Sequence, residues 1–153
     1  MQQHDFHRVD PASPGDAPSL AVLFEEYRLF YGVPPDPQGS AAFVKARLEK
    51  RVTRFLVARR AHELLGFAHL LPSFDTLATS PMWILEDLFV NPLFRRRGIG
   101  SSLLQAAEKL ALETGADRLT LATAHSNVIA QRLYEKHGWM LDKAFRHYHR
   151  ILA

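Results

Sequence analysis

The sequence predicts an α/β fold: one domain with a mixed central sheet flanked by helices. Three observations predict it. Residues 54–58 and 64–71 are apolar runs joined by Arg59-Arg60-Ala61-His62-Glu63, the pattern of a hairpin. Residues 83–90, 99–113 and 118–123 read as strand, helix and strand, a βαβ unit that implies parallel pairing. Further amphipathic helical segments at both ends of the chain supply layers to cover such a sheet.

The elements follow in order. Residues 6–9 are a short strand candidate, and Pro11-Ala-Ser-Pro-Gly-Asp16 is a turn cluster. Asp16 can cap a helix starting near Pro18, whose residues Leu20, Leu23, Phe24, Tyr27 and Tyr31 share one face. Gly32-Val-Pro-Pro-Asp-Pro37 should end it, and a second helix is expected over 40–50. After the hairpin, residues 72–81 read as a polar connecting loop with Phe74 embedded. The strand over 83–90 stops at Asn91-Pro92, since proline has no N–H for a ladder. The next helix carries apolar residues at Ile99, Leu103, Leu104, Ala107, Leu110 and Ala111, and Gly115 sits where it should end. Ser126 or Asn127 caps a helix over 128–137, which stops at Gly138. Residues 139–141 and 145–151 are expected as final strands.

Composition bounds the rest. The chain has 153 residues, 47% hydrophobic and 23% charged, which suits one soluble globular domain over 1–153. A net charge of +3 does not argue for nucleic acid. No apolar run is long enough to span a membrane, and the first ten residues lack the apolar core of a secretory leader. Cysteine is absent, which excludes disulfides and a cysteine nucleophile and fits a cytoplasmic location. His147 and His149 lie on one expected strand without a third ligand nearby, so no metal site is expected.

The densest chemistry lies between the strand over 83–90 and the helix that follows. Arg95-Arg96-Arg97-Gly98-Ile99-Gly100 puts three cations and two glycines at a helix N-terminus. Free N–H groups, a partial positive charge and backbone without Cβ atoms suit a phosphate-bearing ligand. No Gly-Lys-Ser/Thr follows, and the third glycine of a dinucleotide fingerprint is missing. A pyrophosphate carrier other than ATP or NAD is the reading left.

Arg95-x-x-Gly98-x-Gly100 resembles the acetyl-CoA pyrophosphate motif of the GNAT N-acetyltransferase superfamily, which also sits between strand and helix. Asn127-x-x-Ala130-x-x-x-Tyr134-Glu135-x-x-Gly138-Trp139 resembles that family's second signature. The likeness runs from about Trp83 to Trp139. The run Leu85-Glu86-Asp87-Leu88-Phe89-Val90 is most similar to the branch acting on polyamines and thialysine, or to yeast-type polyamine and histone acetyltransferases. The resemblance implies acetyl-CoA as cosubstrate, no metal, a small-molecule amine acceptor, and neither nucleic acid nor membrane as partner; a homodimer is compatible with it. Leu88, Phe89 and Val90, the loop Arg95, Arg96, Arg97, Gly98, Ile99, Gly100 and Ser101, and Asn127 with Tyr134 would then hold acetyl-CoA. A backbone N–H near Phe89 and Val90 would polarise the thioester carbonyl. Phe30 or Tyr31 would line the acceptor cleft, where aromatic faces attract a cation.

Two proton transfers remain. A primary amine is on the order of 0.1% neutral at pH 7, so an acceptor for its proton helps; Glu86 is the choice, directly or through a water. Strict alternation would place Glu86 and Asp87 on opposite faces, with Asp87 left for structural hydrogen bonding. Tyr134 keeps its phenolic proton at pH 7 and is the choice of donor to the departing thiolate; it lies two helical turns after Asn127, on the same face. Two other readings stay open: a protein lysine or N-terminal acetyltransferase, and a non-catalytic CoA-binding module.

Overall fold

The computed structural model describes residues 6–153; the expectation about a leader falls in part on residues 1–5, outside the described residues. The chain divides into two compact units between Ala122 and Thr123. The first holds a five-stranded sheet in the order β1-β2-β3-β4-β5. Its strands are β1 (Arg8–Pro11), β2 (Arg54–Arg60), β3 (Glu63–Asp75), β4 (Ser80–Val90) and β5 (Leu119–Thr120). The first four pair antiparallel, and β5 joins β4 in parallel through Trp83↔Leu119 and Ile84↔Thr120. The mixed sheet and the βαβ crossover expected from the sequence are therefore both present.

Helices α1 (Ala17–Phe30) and α2 (Pro37–Lys50) cover one face, where Leu20, Leu23, Val44 and Leu48 pack on Phe55, Val57, Phe67 and Phe89. Helix α3 (Ile99–Glu113) packs on β2, β3 and β4 from the opposite side and buries Ile99, Leu103, Leu104, Ala107 and Ala111. Glu25 of α1 ties the two front helices together. Its carboxylate accepts from the Ser40 hydroxyl, from the Asp36 backbone N–H (2.7 Å) and from Arg28 (2.8 Å). These bonds, the Ser40 hydroxyl first, hold its carboxyl below the usual range despite burial.

Several boundaries differ from expectation; the first strand, expected over 6–9, is Arg8–Pro11. Helix α2 begins at Pro37 rather than at 40, because Asp36 caps it by accepting from the Gly39 N–H (2.9 Å). Pro37 is thus a first-turn proline and not a terminator. Residues 72–81 are mostly hairpin, not loop: β3 and β4 run on through Pro72↔Trp83 and Asp75↔Ser80. Asp75 closes the turn by accepting from the Ala78 N–H (3.1 Å), and Thr79 takes a positive φ of 54°. The strand expected over 118–123 is reduced to Leu119–Thr120.

The second unit contains α4 (Val128–Lys136) followed by a tail without regular secondary structure. Residues 139–141 and 145–151, expected as strands, enter no ladder in the structure. Apolar alternation marks a segment that can pair, but a strand also needs a partner to exchange hydrogen bonds with.

Candidate functional site

The first unit brings most of the expected site residues into one neighbourhood, and the reason is a break in β4. His69 pairs with Asp87 but the next residue, Leu70, pairs with Leu85. Glu86 is therefore an extra residue, a β-bulge, and it is exposed. The bulge reverses the parity of the strand. Trp83 points to the α3 side, where its indole N–H donates to the Thr114 hydroxyl (2.8 Å), and Leu85 follows it. Asp87 and Phe89, of the same odd parity, lie on the α1 side instead. Strict alternation across Glu86 and Asp87 thus fails, because the register skips Glu86.

Around that bulge lie the aromatic residues expected at the acceptor cleft. Tyr27 packs against Phe89 (5.8 Å between ring centroids) and edge-on to Tyr31 (5.1 Å). Phe30 meets Tyr31 (5.2 Å) and Phe89 (6.1 Å), and both Phe30 and Tyr31 are about half exposed. The Arg95 guanidinium lies over Phe30 (5.4 Å) and Phe89 (5.7 Å), while its Nε donates to the Val90 carbonyl (3.1 Å). These aromatic faces already accommodate one cation. Close packing continues at Gly66, opposite Val90, where a Cβ would stand 2.7 Å from the Phe89 carbonyl oxygen.

On its other side β4 pairs only briefly with β5. Pairing with β5 ends at Ile84↔Thr120, so the stretch from Leu85 to Val90 has no β5 partner. That edge leads through Asn91, whose side chain accepts from the Leu93 N–H (3.0 Å), into the basic loop. Arg95, Arg96 and Arg97 are exposed, and Arg97 stacks over Phe6 (4.8 Å). Gly98 starts α3 with a φ of 77° and no capping side chain, and a Cβ there would meet nothing within 4 Å. An uncapped helix N-terminus beneath open space, flanked by guanidinium groups, fits a pyrophosphate. His7 bonds the Ser102 hydroxyl (2.8 Å), which donates to the Gly98 carbonyl (3.1 Å) and steadies that first turn.

In the second unit, Asn127 caps α4, its side-chain oxygen accepting from the Ala130 N–H (3.3 Å). Tyr134 follows on the same helix and is half-buried, its ring 6.0 Å from that of Trp139. The end of α4 explains the spacing of this signature. Gly138, at φ 86°, donates to the Glu135 carbonyl (3.0 Å), and the Trp139 N–H to the Tyr134 carbonyl (3.1 Å). This is the paired hydrogen-bond pattern of a glycine-terminated helix, with Trp139 folded back on Tyr134.

Sequence reasoning missed Tyr27, His69 and Thr53 as parts of this neighbourhood. His69 is 3% exposed in the otherwise apolar run around Leu64–Leu71, and an unpaired buried imidazole would be costly there. That cost was the available signal for a partner. Among the described residues no group of three or more His, Cys, Asp or Glu could hold a metal, and no helix is long and apolar enough to cross a membrane.

The profile of the Acetyltransferase (GNAT) family matches residues 20–139. The uncharacterized N-acetyltransferase YhfO of Bacillus subtilis is 44% identical over 140 residues, covering 92% of this chain and 94% of that protein. The D-amino-acid N-acetyltransferase HPA3 of Saccharomyces cerevisiae is 31% identical over 138 residues, 88% of this chain and 86% of its own. Among solved structures, a probable acetyltransferase superposes with a TM-score of 0.89 at 36% identity, covering 95% of this chain and 98% of its own.

Proposed function

The chain belongs to the Acetyltransferase (GNAT) family, and from that premise we propose that it acetylates a primary amine of a small molecule by direct attack, with acetyl-CoA and the amine bound together. The observation that carries this reading is the bulge: it holds an exposed carboxylate, Glu86, on a strand that leaves β5 after Ile84 and runs into the glycine loop. Acetyl-CoA supplies the acetyl group as a thioester. The N–H groups at the start of α3, with Arg95, Arg96 and Arg97, bind its pyrophosphate. Backbone N–H groups of β4 near Phe89 and Val90 orient the pantetheine arm and polarise the carbonyl. Asn127 contributes a pantetheine contact.

Glu86 takes the proton of the incoming ammonium, directly or through a water. Tyr134 holds a phenolic proton at Oη for the leaving sulfur. Phe30 and Tyr31 face the cationic acceptor. The chain has no cysteine to serve as an acyl-enzyme nucleophile, in keeping with direct attack. HPA3 is named for amino-acid acceptors, which favours an amino acid or a similarly small amine here.

An acceptor panel tests the reading. Purified protein with acetyl-CoA is offered spermidine, L- and D-lysine, and a lysine-containing peptide, and released thiol is measured. Release with a small amine supports the proposal. Release with the peptide alone would assign a protein acceptor, and binding of acetyl-CoA with no release would leave a non-catalytic module.

A further inference from the structure

Beneath the bulge runs a chain of hydrogen bonds that the roles above do not use. The Thr53 hydroxyl lies 2.8 Å from Nε2 of His69, and Nδ1 of His69 lies 2.9 Å from Oδ2 of Asp87. The Asp87 carboxylate also bears on the Tyr27 phenol of α1, whose proton it helps to hold. As a carboxylate Asp87 can only accept, so Nδ1 carries a proton and donates to it; in the neutral ring Nε2 then accepts from Thr53. The imidazole is fixed in its plane. It stacks on Phe55 at 4.0 Å and 7°, and Phe43 of α2 meets it edge-on at 6.2 Å.

The position of this bond in the register matters most. His69↔Asp87 is the pair directly beyond the bulge. If β4 slipped by one residue, Glu86 would stand opposite His69, and Asp87 would turn to the α3 side. Register is specified by whatever makes one pairing better than its neighbours. Here the charge-assisted bond from the buried His69 ring to Asp87 does so. Burial first, and then the Asp87 carboxylate, push the Tyr27 phenol well above its ordinary value, so it stays protonated beside that carboxylate.

We infer that His69 is a positioning residue for acetyl transfer: its Nδ1–H bond to Asp87 sets the register in which Glu86 is the bulged, outward residue. The inference rests on the reading of Glu86 as proton acceptor. It assigns His69 no contact with either substrate.

The test is a double-mutant cycle on the full chain, using whichever of spermidine or lysine turns over. His69→Phe keeps the stacked ring and removes the donor; His69→Asn places an amide N–H near the position of Nδ1. His69→Phe should lower kcat roughly tenfold or more, because a misaimed carboxylate loses its geometry. Acetyl-CoA affinity, measured by calorimetry, should stay within about twofold, and His69→Asn should recover most of kcat. Combined with Glu86→Gln, His69→Phe should cost little more, since both act on one step. Wild-type kcat in His69→Phe, an Asn variant as poor as Phe, or full additivity with Glu86→Gln would each overturn the inference. If His69→Phe does not fold, His69→Gln replaces it, its amide placed toward Nε2 instead of Nδ1. A Glu86→Gln protein with wild-type turnover would instead overturn the proton-acceptor reading on which the inference stands.

Discussion

Replacing Glu86 by glutamine and Asp87 by asparagine, one at a time, should separate rate from stability in two adjacent carboxylates. Glu86 is exposed on the bulge, and its side chain makes no hydrogen bond or ion pair among the described residues. Its amide replacement should change unfolding free energy by no more than about 0.5 kcal/mol. Asp87 is different: its side chain is 15% exposed and accepts from His69 at 2.9 Å. Asparagine removes the charge from that bond and can turn an N–H toward His69, at a cost of about 1.5–3 kcal/mol. For a chain of this length that lowers Tm by about 3–12 °C. Turnover should behave the opposite way for Glu86→Gln, falling by about 10² to 10⁴ at neutral pH if Glu86 is the only base. Without that base the reaction draws on amine already neutral in solution, which increases about tenfold per pH unit below the amine pKa. The variant should therefore recover steadily toward alkaline pH. Thermal unfolding and thiol release from pH 7 to 9 measure both quantities. A Glu86→Gln protein that turns over normally at pH 7, or a Tm loss at Glu86 with none at Asp87, would refute the reasoning.

Three further expectations follow from other parts of the molecule. Tyr134→Phe should retain acetyl-CoA binding and lose roughly tenfold or more in kcat, a defect that narrows at alkaline pH where a thiolate leaves unaided; a destabilised but fully active variant would make Tyr134 a packing residue against Trp139. Gly66→Ala puts a Cβ 2.7 Å from the Phe89 carbonyl oxygen and 3.3 Å from the Val90 Cα, and backbone cannot yield there as a side chain would, so a loss of about 1–3 kcal/mol in denaturant unfolding is expected. Arg59 grips Asp16 with two bonds of 3.0 Å and, by that hydrogen bonding first, holds its carboxyl below the ordinary 3.8. A lowered folded pKa stabilises above the unfolded value and is lost as pH falls through the folded one, so the Tm gap between wild type and Asp16→Asn should be constant above about pH 5 and close below pH 4.

Local pattern carried much of the architecture. The spacing of Leu20, Leu23 and Tyr27 identifies α1, and Gly98 and Gly115 bracket α3, because capping and periodicity are properties of neighbouring residues. Prolines misled where their role depends on context: Pro37 opens a helix, and Pro72 is carried within a long strand. The bulge at Glu86 was illegible. Leu85, Asp87 and Phe89 share a parity in sequence, and only pairing with β3 shows that an extra residue sends them to opposite faces. His69 and Tyr27 were missed for the same reason, since each becomes part of the site through a partner more than fifteen residues away. The glycine loop and the run from Asn127 to Trp139 were legible because turn geometry and helix termination dictate their residue types directly.

Initial velocities of thiol release, measured over a matrix of acetyl-CoA and amine concentrations, test the central claim most directly. Direct attack with both substrates bound predicts amine-dependent release, intersecting reciprocal plots, and no acetylated protein by mass when acetyl-CoA is given alone. Parallel plots with a stable acetyl-protein, or release indifferent to the amine, would contradict it.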